Sequence, residues 1–339
     1  MHTMNDQTVF SADLLKLDAA VAVDRIVCAI RRFVMQDLRR KGAVLGLSGG
    51  IDSSVVAALS VRALGTDRVL GILMPERESS EESLTLGRCL GNHLGIKTMV
   101  EDITPILEGA GCYQRRDAMI RKVIPHYAPD YQCKIVLPDL LNQDSYRLFS
   151  VVVQSPDGQV TKARLPLEAY HGIVAATNFK QRIRKMMEYY HADRLHFAVM
   201  GTPNRLEYDQ GFFVKNGDGS ADVKPIAHLY KTQVYQLAAY LGIPENIRSR
   251  PPTTDTYSMR QSQEEFYFSL SYDKMDLCLY GKNHHIPADE VGRVAGLTPE
   301  QVALVYRDIA SKRKATRYLH LHPLLVEPVS EISLEEPSP

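Results

Sequence analysis

Short apolar runs alternate along the chain with longer stretches whose apolar positions recur at helical spacing. Residues 13 to 40 place Leu14, Leu17, Val21, Ile26, Ile30, Phe33 and Leu38 near that spacing, with Arg31, Arg32, Arg39 and Arg40 left for a polar face; this predicts a packing helix. Val44 to Leu47 is apolar throughout, as a strand covered on both faces is, and Val55-Val56-Ala57-Ala58-Leu59 continues as a helix beyond the turn at Gly49-Gly50. Arg68 to Met74 reads as a second strand ending at Pro75, Ser79 to Leu94 as its helix, and Thr98 to Ile103 as a third strand. Strand, helix, strand, helix, strand predicts an α/β fold: a doubly wound parallel sheet flanked by helices, with ligands beyond the carboxyl ends of the strands.

The middle of the chain breaks this alternation. Within residues 126 to 172, Tyr146 to Val153 and Gln159 to Leu165 are strand-like and joined by Ser155-Pro156-Asp157-Gly158, which predicts an inserted β-hairpin. A lone two-stranded hairpin is marginal in water, so it must pack on its own domain, a second subunit or a partner protein. Entering just before the next helix, it is placed to reach an acceptor pocket as a flap. Asn178 to Met187 is helical, with Asn178 and Arg182 on one face. Leu195 to Met200 is another buried strand, and Gly201-Thr202-Pro203-Asn204-Arg205-Leu206-Glu207 leaves its carboxyl end. A glycine-punctuated loop then carries Lys215 and Asp222, and His228 to Leu241 forms a helix with Lys231 in its first turn. Pro251-Pro252-Thr253-Thr254-Asp255 interrupts the chain before a helical region containing Glu264 and Glu265.

Gly46-Leu47-Ser48-Gly49-Gly50-Ile51-Asp52-Ser53 concentrates the chemistry, because strand, glycine turn and helix start coincide. Glycines let a ligand approach bare backbone. The amides of a helix's first turn lack partners and, with the helix dipole, form an anion site. Asp52 facing a polyphosphate is repulsive unless a cation lies between, and Mg²⁺, which takes one or two carboxylates plus phosphate oxygens, resolves the conflict. Asp52 as a helix cap and the glycines as a plain turn are the bland alternative. No Gly-Lys-Ser/Thr follows, so the loop is not a Walker A motif. Met74-Pro75-Glu76-Arg77-Glu78-Ser79-Ser80 leaves the second strand at the same edge, its charges either bordering the nucleotide or merely solvated.

Composition narrows the partners. Of 339 residues, 45% are apolar and 24% charged, ordinary for a globular enzyme with a large core. Forty basic and forty acidic side chains cancel, which argues against nucleic acid as main partner and against an anionic membrane. Cysteines at 28, 89, 112, 133 and 278 include no Cys-x-x-Cys pair, so free thiols in a reducing compartment are expected. Met1 to Phe10 lacks the apolar core of a signal peptide, and Leu17 to Ile30 is broken by Asp18, Asp24 and Arg25; a cytoplasmic protein is expected.

Ser-Gly-Gly-Ile-Asp-Ser resembles the signature of the N-type ATP pyrophosphatases, whose adenine nucleotide alpha hydrolase-like fold cuts ATP to AMP and pyrophosphate while adenylating an acceptor. The order of motifs from the Ser48 loop through Leu279, apart from the hairpin, resembles the ammonia-dependent NAD synthetases. The resemblance implies that the Gly46 to Ser53 turn, Thr202, Lys231 and Thr253 bind ATP, and that Asp52 and Glu207 bind magnesium. It implies that Arg182, Lys215 and Asp222 bind deamido-NAD. The usual His-Lys contact to that substrate falls at Ser311-Lys312, giving Lys312. Tyr272-Asp273-x-x-Asp276-x-x-Leu279 also resembles the family pattern, with Glu264-Glu265 where an Asp-Glu pair is usual. Departures are the hairpin, Phe266 to Ser269 in place of a Leu-Gly pair, and the divergent segment 281 to 339. The whole chain, 1 to 339, is then one NAD synthetase-like domain with Mg²⁺ as cofactor and ATP as co-substrate.

The resemblance further implies amidation of deamido-NAD to NAD through an acyl adenylate, and a homodimer. A carboxylate needs a good leaving group before an amine can displace its oxygen, and phosphoryl transfer needs mainly alignment and charge neutralisation. No general base is evident. About 43 residues precede the first strand, too few for a glutaminase, so ammonia is the expected donor and glutamine would need a separate partner. The alternatives are a related ligase adenylating another carboxylate, a sulfur-inserting RNA enzyme, disfavoured by charge and cysteine spacing, and a non-catalytic nucleotide sensor.

Overall fold

The computed structural model describes residues 10–137, 149–252 and 256–329. A short 3₁₀ turn at Ala12–Leu15 leads to α1 (Ala19–Arg32), β1 (Ala43–Gly46), α2 (Ile51–Leu64), β2 (Val69–Leu73), α3 (Glu81–Leu94) and β3 (Lys97–Val100). After α4 (Thr104–Gly109) and α5 (Cys112–Arg121) come β4 (Gln132–Val136), β5 (Ser150–Gln154) and β6 (Val160–Arg164). The chain then runs through α6 (Leu167–Leu195), β7 (Ala198–Val199), α7 (Arg205–Gln210), α8 (Lys231–Tyr240) and α9 (Glu245–Arg248). It finishes with α10 (Tyr272–Asn283), α11 (Ala288–Ala295) and α12 (Pro299–Thr316).

Four parallel strands lie in the order β3-β2-β1-β7. The chain steps outward from β1 to β3 and returns on the other side of β1, so the topological reversal falls between β1 and β7. Helices cover both faces. Ala43 and Leu45 pack with Ile30 of α1, Leu59 of α2 and Val234 of α8, whereas Val44, Leu70 and Ile72 pack with Ala192 of α6. Both sides of β1 are therefore apolar, the physical reason its sequence shows no alternation. The helix α2 lies between the sheet and its neighbours α1 and α8, and Val55 through Leu59 are all buried.

The amino-terminal stretch is not one helix over 13–40. Asp18 Oδ1 accepts from Val21 N at 3.1 Å and starts α1 there; a short carboxylate competes for backbone and favours a cap over a helix interior. Past Arg32 the coil widens into a π turn at Phe33–Asp37.

The insertion is larger than a hairpin. Strand β4 joins it, pairing antiparallel with β5 (Cys133 opposite Val153, Ile135 opposite Val151), and β6 lies outside β5. The predicted turn is present, with Gly158 at φ +87° and Ser155 N bonded to Gln159 O at 3.0 Å. Of the first predicted strand, residues 146 to 148 lie outside the described residues. Cys133, Ile135, Val151 and Val153 face Ile120 and Ile124 near α5 and Ala169 and Ile173 of α6. The sheet thus packs on its own chain. The segment after Asn283 is also ordered around apolar contacts, with α10, α11 and α12 forming a second core with Phe10, Leu206 and Tyr230. Among the described residues no helix is long and apolar enough to cross a membrane, and the five cysteines are free.

Candidate active site

The Ser48 loop leaves β1 at its carboxyl end and becomes α2 with Gly50 as N-cap and no side-chain cap. The first-turn amides are therefore left for an incoming anion. Gly49 has φ +73°, and a Cβ there would lie 2.8 Å from Ser83 O, so only glycine allows the turn to pass α3. Ser48 Oγ lies 3.1 Å from Ser53 Oγ and accepts from Gly50 N at 3.2 Å, which locks the loop into a cradle before any ligand enters.

The turn after β7 is brought against this loop by the strand order. Asn204 caps α7: its Oδ1 accepts from Glu207 N at 3.2 Å while its own N donates to Glu207 Oε2 at 3.1 Å. The same side chain donates through Nδ2 to Asp52 Oδ1 at 3.1 Å. Asp52 Oδ2 is held by the fully buried Lys231 ammonium, and Gln263 Nε2 donates to Glu207 Oε1 at 3.0 Å. Asp52, Glu207 and Lys231 thus form one cluster. Burial, reinforced by the Asp52 charge, pushes the Glu207 carboxyl well above the usual range although Lys231 opposes this. For Lys231, burial works against the charge, but Asp52 and Glu207 outweigh it and raise its pKa. Two carboxylates converging in a buried place is a costly arrangement that a further cation relieves. Among the described residues no group of three or more metal-ligating side chains occurs. The two carboxylates Asp52 and Glu207 are a donor set suited to an ion that takes one or two carboxylates and completes its shell with phosphate and water.

A cavity of about 840 Å³ runs from this cluster past the Ser48 loop and Thr202 to Arg182, Lys215 and Lys312. That volume lies within the range of small-molecule sites. Arg182 Nε donates to Lys215 O at 3.3 Å. The Lys215 ammonium donates to Tyr318 O at 2.8 Å and Leu321 O at 3.3 Å, in the segment that follows α12. Lys312, on α12, lies 2.8 Å from Asp308 and donates to Tyr267 O at 2.6 Å, so α12 supplies a cation to the cavity wall. Asp222 is not brought there: its carboxylate accepts from Val199 N at 2.7 Å and Tyr189 Oη at 3.2 Å, tying the glycine loop to β7. Asp218, four residues earlier, lines the cavity instead. Thr253 lies outside the described residues.

Several contributors carried no role in the sequence. Asn204 had a signal, the Asn-x-x-Glu spacing of a capping box. Asp276 had one too, within the Tyr272 to Leu279 pattern. It accepts from Lys231 N at 3.2 Å and Thr232 N at 2.7 Å, and so fixes the start of α8 under the Lys231 side chain; burial pushes its carboxyl up to about 6. Lys185 and Glu188, paired at 2.6 Å on α6, reach the cavity where a Cβ on Gly46 would lie 2.9 Å from Glu188 Oε1. Nothing short-range announced them. The Met74 to Ser80 stretch divides: Met74, Pro75, Ser79 and Ser80 line the cavity, but Glu76 and Glu78 turn inward. Lys180 binds Glu76 at 2.8 Å and Glu78 at 2.7 Å, and Arg116 binds Glu78 at 2.7 Å. Those charges are neither at the nucleotide edge nor solvated; they clamp the loop to α5 and α6.

The sequence and the fold both have counterparts among known proteins. The chain is 63% identical over 327 residues to the NH(3)-dependent NAD(+) synthetase of Rhizobium meliloti, covering 96% of this chain and 98% of that protein. In fold it is similar to the NMN synthetase of Francisella tularensis (TM-score 0.61, 21% identity, 93% of this chain and 100% of that one). It is likewise similar to the NH3-dependent NAD synthetase of Campylobacter jejuni (TM-score 0.59, 23% identity, 92% and 100%). The family model for NAD synthase matches residues 22–121 and 152–318, on either side of β4 and the start of β5. Matched over most of its length by the family model and by a relative of high identity, the chain belongs to the NAD synthase family.

Proposed function

We propose that the chain joins ammonia to the nicotinic acid carboxylate of deamido-NAD at the expense of ATP, giving NAD, AMP and pyrophosphate. The observation that carries this is that one continuous cavity holds both the Ser48 cradle and the cations Arg182, Lys215 and Lys312. An acceptor with a pyrophosphate of its own fits the second group while the ATP phosphates occupy the first. The nicotinic carboxylate then attacks the α-phosphorus, and pyrophosphate leaves with the electrons of the broken bond. The α2 amides stabilise the charge that develops on it. Ammonia adds to the resulting acyl carbon and AMP departs. Asp52 and Glu207 would hold Mg²⁺, which supplies charge neutralisation on the phosphates. Asp52→Asn and Glu207→Gln should each abolish turnover at limiting Mg²⁺ with the circular dichroism spectrum retained; wild-type rates in both would remove the metal assignment.

Assay of AMP release tests the reaction itself. It should require ATP, deamido-NAD and ammonia together, and stay at background with ATP alone, with other carboxylates, or with glutamine when ammonia is scavenged. Release that ignores the acceptor would overturn the proposal. Thr202, Lys231 and Thr253 are assigned to ATP, and Arg182, Lys215, Asp222 and Lys312 to the acceptor; for Asp222 the role is indirect, through the loop it anchors. The proposal includes a cytoplasmic homodimer. Met186 and Tyr190, 52% and 58% exposed one turn apart on α6, offer apolar surface that a second copy would cover, and light scattering tests it.

A further inference from the structure

Among the α6 positions that line the cavity, Glu188, Lys185, Arg182, Asn178, Val174 and Tyr170 recur every three or four residues. One face of this helix is the cavity floor. At about 1.5 Å per residue, the stretch from Glu188 to Tyr170 spans about 27 Å. Its chemistry is graded. Glu188 lies beside Gly46 at the phosphate end, Arg182 lies with Lys215 in the middle, and Tyr170 closes the far end.

At that far end the Tyr170 ring stacks on Phe149, with centroids 4.1 Å apart and planes inclined by 15°. Phe149 belongs to the inserted sheet, where its carbonyl accepts from Leu165 N at 2.9 Å at the edge of the β5–β6 pair. Leu137, just past β4, and Val174 extend the same wall. The pair is not simply a piece of core, because both rings are only partly buried and both face the cavity. A ligand that complements phosphate cradle, cations and aromatic wall in turn has its reacting group at one end, anionic charge in the middle and a planar ring at the other end. Phe149 also lies between the two blocks of the family match, in the stretch 122–151 that the match leaves out. The insertion thus supplies Phe149 and Leu137 to a wall whose other half, Tyr170 and Val174, belongs to α6.

We propose that Phe149 and Tyr170 are specificity-determining residues that stack the distal base of a dinucleotide acceptor. The inserted sheet thereby makes the enzyme prefer deamido-NAD to nicotinic acid mononucleotide, which has the same reacting carboxylate but no second base. The inference rests on the amidation reaction proposed above. Aromatic–base stacking removed by substitution costs roughly five- to 150-fold in binding, so the effect is measurable on one substrate and not on the other.

The test is steady-state kinetics of the full chain with each acceptor in turn, for wild type, Phe149→Ala, Phe149→Leu, Phe149→Tyr and Tyr170→Leu. Phe149→Ala and Tyr170→Leu should raise KM for deamido-NAD roughly tenfold or more, with little change in kcat or in KM for ATP. The preference over the mononucleotide should fall by the same factor. Phe149→Leu keeps apolar volume without a stacking face and should show the selective loss even if the alanine variant melts early. Phe149→Tyr should restore the preference. An equal loss on both acceptors, or full retention of preference in Phe149→Leu, would overturn the assignment. A wild type that does not amidate deamido-NAD overturns the reaction itself before any variant is made, so the two failures are distinguishable.

Discussion

Asn204 is the hinge pin of the phosphate end. One amide side chain caps α7, fixes Glu207 and donates to Asp52, so two carboxylates from different crossovers share a single positioning group. Groups that orient ligating side chains typically matter 10- to 100-fold when removed. Asn204→Ala should lower kcat/KM by about that factor and shift the Mg²⁺ dependence to higher concentration. It should also cost about 1 kcal/mol of stability through the lost cap. Kinetics across a magnesium titration, with a thermal melt, check both parts; a stability loss without a magnesium shift would leave Asn204 a cap only. The places of Asp52 and Glu207 are legible because each lies a few residues past a strand end, so short-range spacing encodes them, whereas Lys231 opens α8 far from any strand and is reached only through the resemblance. Gln263 is placed on Glu207 by a contact between distant segments, and a residue's spacing says nothing about that. Asp222 shows the opposite limit: its position in a family motif was readable, but the direction of its carboxylate, toward β7, was not.

Among the elements, α6 carries most of what the sequence concealed. Only Asn178 to Met187 reads as helix, yet the helix extends over Leu167–Leu195. Its flanks are covered by the inserted sheet and α5 at one end and by β1 and β7 at the other. A helix buried on changing sides loses the single apolar stripe by which helices are recognised. Strand β4 was hidden for a similar reason. Gln132 to Val136 alternates over only five residues, too few to stand out without the partner β5. The strands β1 and β2, by contrast, are plain from short apolar runs bounded by glycine or proline, whereas β3, expected over Thr98 to Ile103, is Lys97–Val100 and only half apolar. Replacing residues 143–167 by a Gly-Ser linker removes β5 and β6 and leaves β4 and the Ile120–Ile173 surface uncovered. Binding of ATP should persist, KM for the acceptor should rise, and the melting temperature should fall. Equilibrium ATP binding and acceptor kinetics on the shortened chain decide it, and unchanged acceptor kinetics would leave the insertion without a part in substrate use.

For the molecule as a whole, the buried ion cluster of Glu76, Glu78, Arg116 and Lys180 ties the sheet edge to α5 and α6, and with them to the insertion. Burial alone would raise the Glu78 carboxyl, but Lys180 and then Arg116 hold it down to about 2, from an ordinary 4.5. A depressed folded-state value means stability that is fully present above about pH 4.5 and is lost as pH falls through about 2, worth about 3 kcal/mol at neutral pH. Glu78→Gln should lose roughly that amount at pH 7, with the deficit shrinking as pH drops below about 4.5; denaturant titrations over that range test it. A deficit that does not change with pH would assign the loss to packing. A second long-range tie lies at Lys215. Its ammonium has three donors, and among the described residues two of them meet the carbonyls of Tyr318 and Leu321, which leaves one there for an acceptor anion. On the proposed assignment of Lys215 to the acceptor, the carboxyl-terminal segment becomes part of that binding equilibrium. Linkage is reciprocal: whatever affinity the docked tail lends the acceptor, the acceptor returns to the docking of the tail. Deamido-NAD should therefore slow proteolytic clipping near Leu321 while ATP alone does not. Clipping accelerated or unmoved by deamido-NAD would mean that tail and acceptor are uncoupled or opposed.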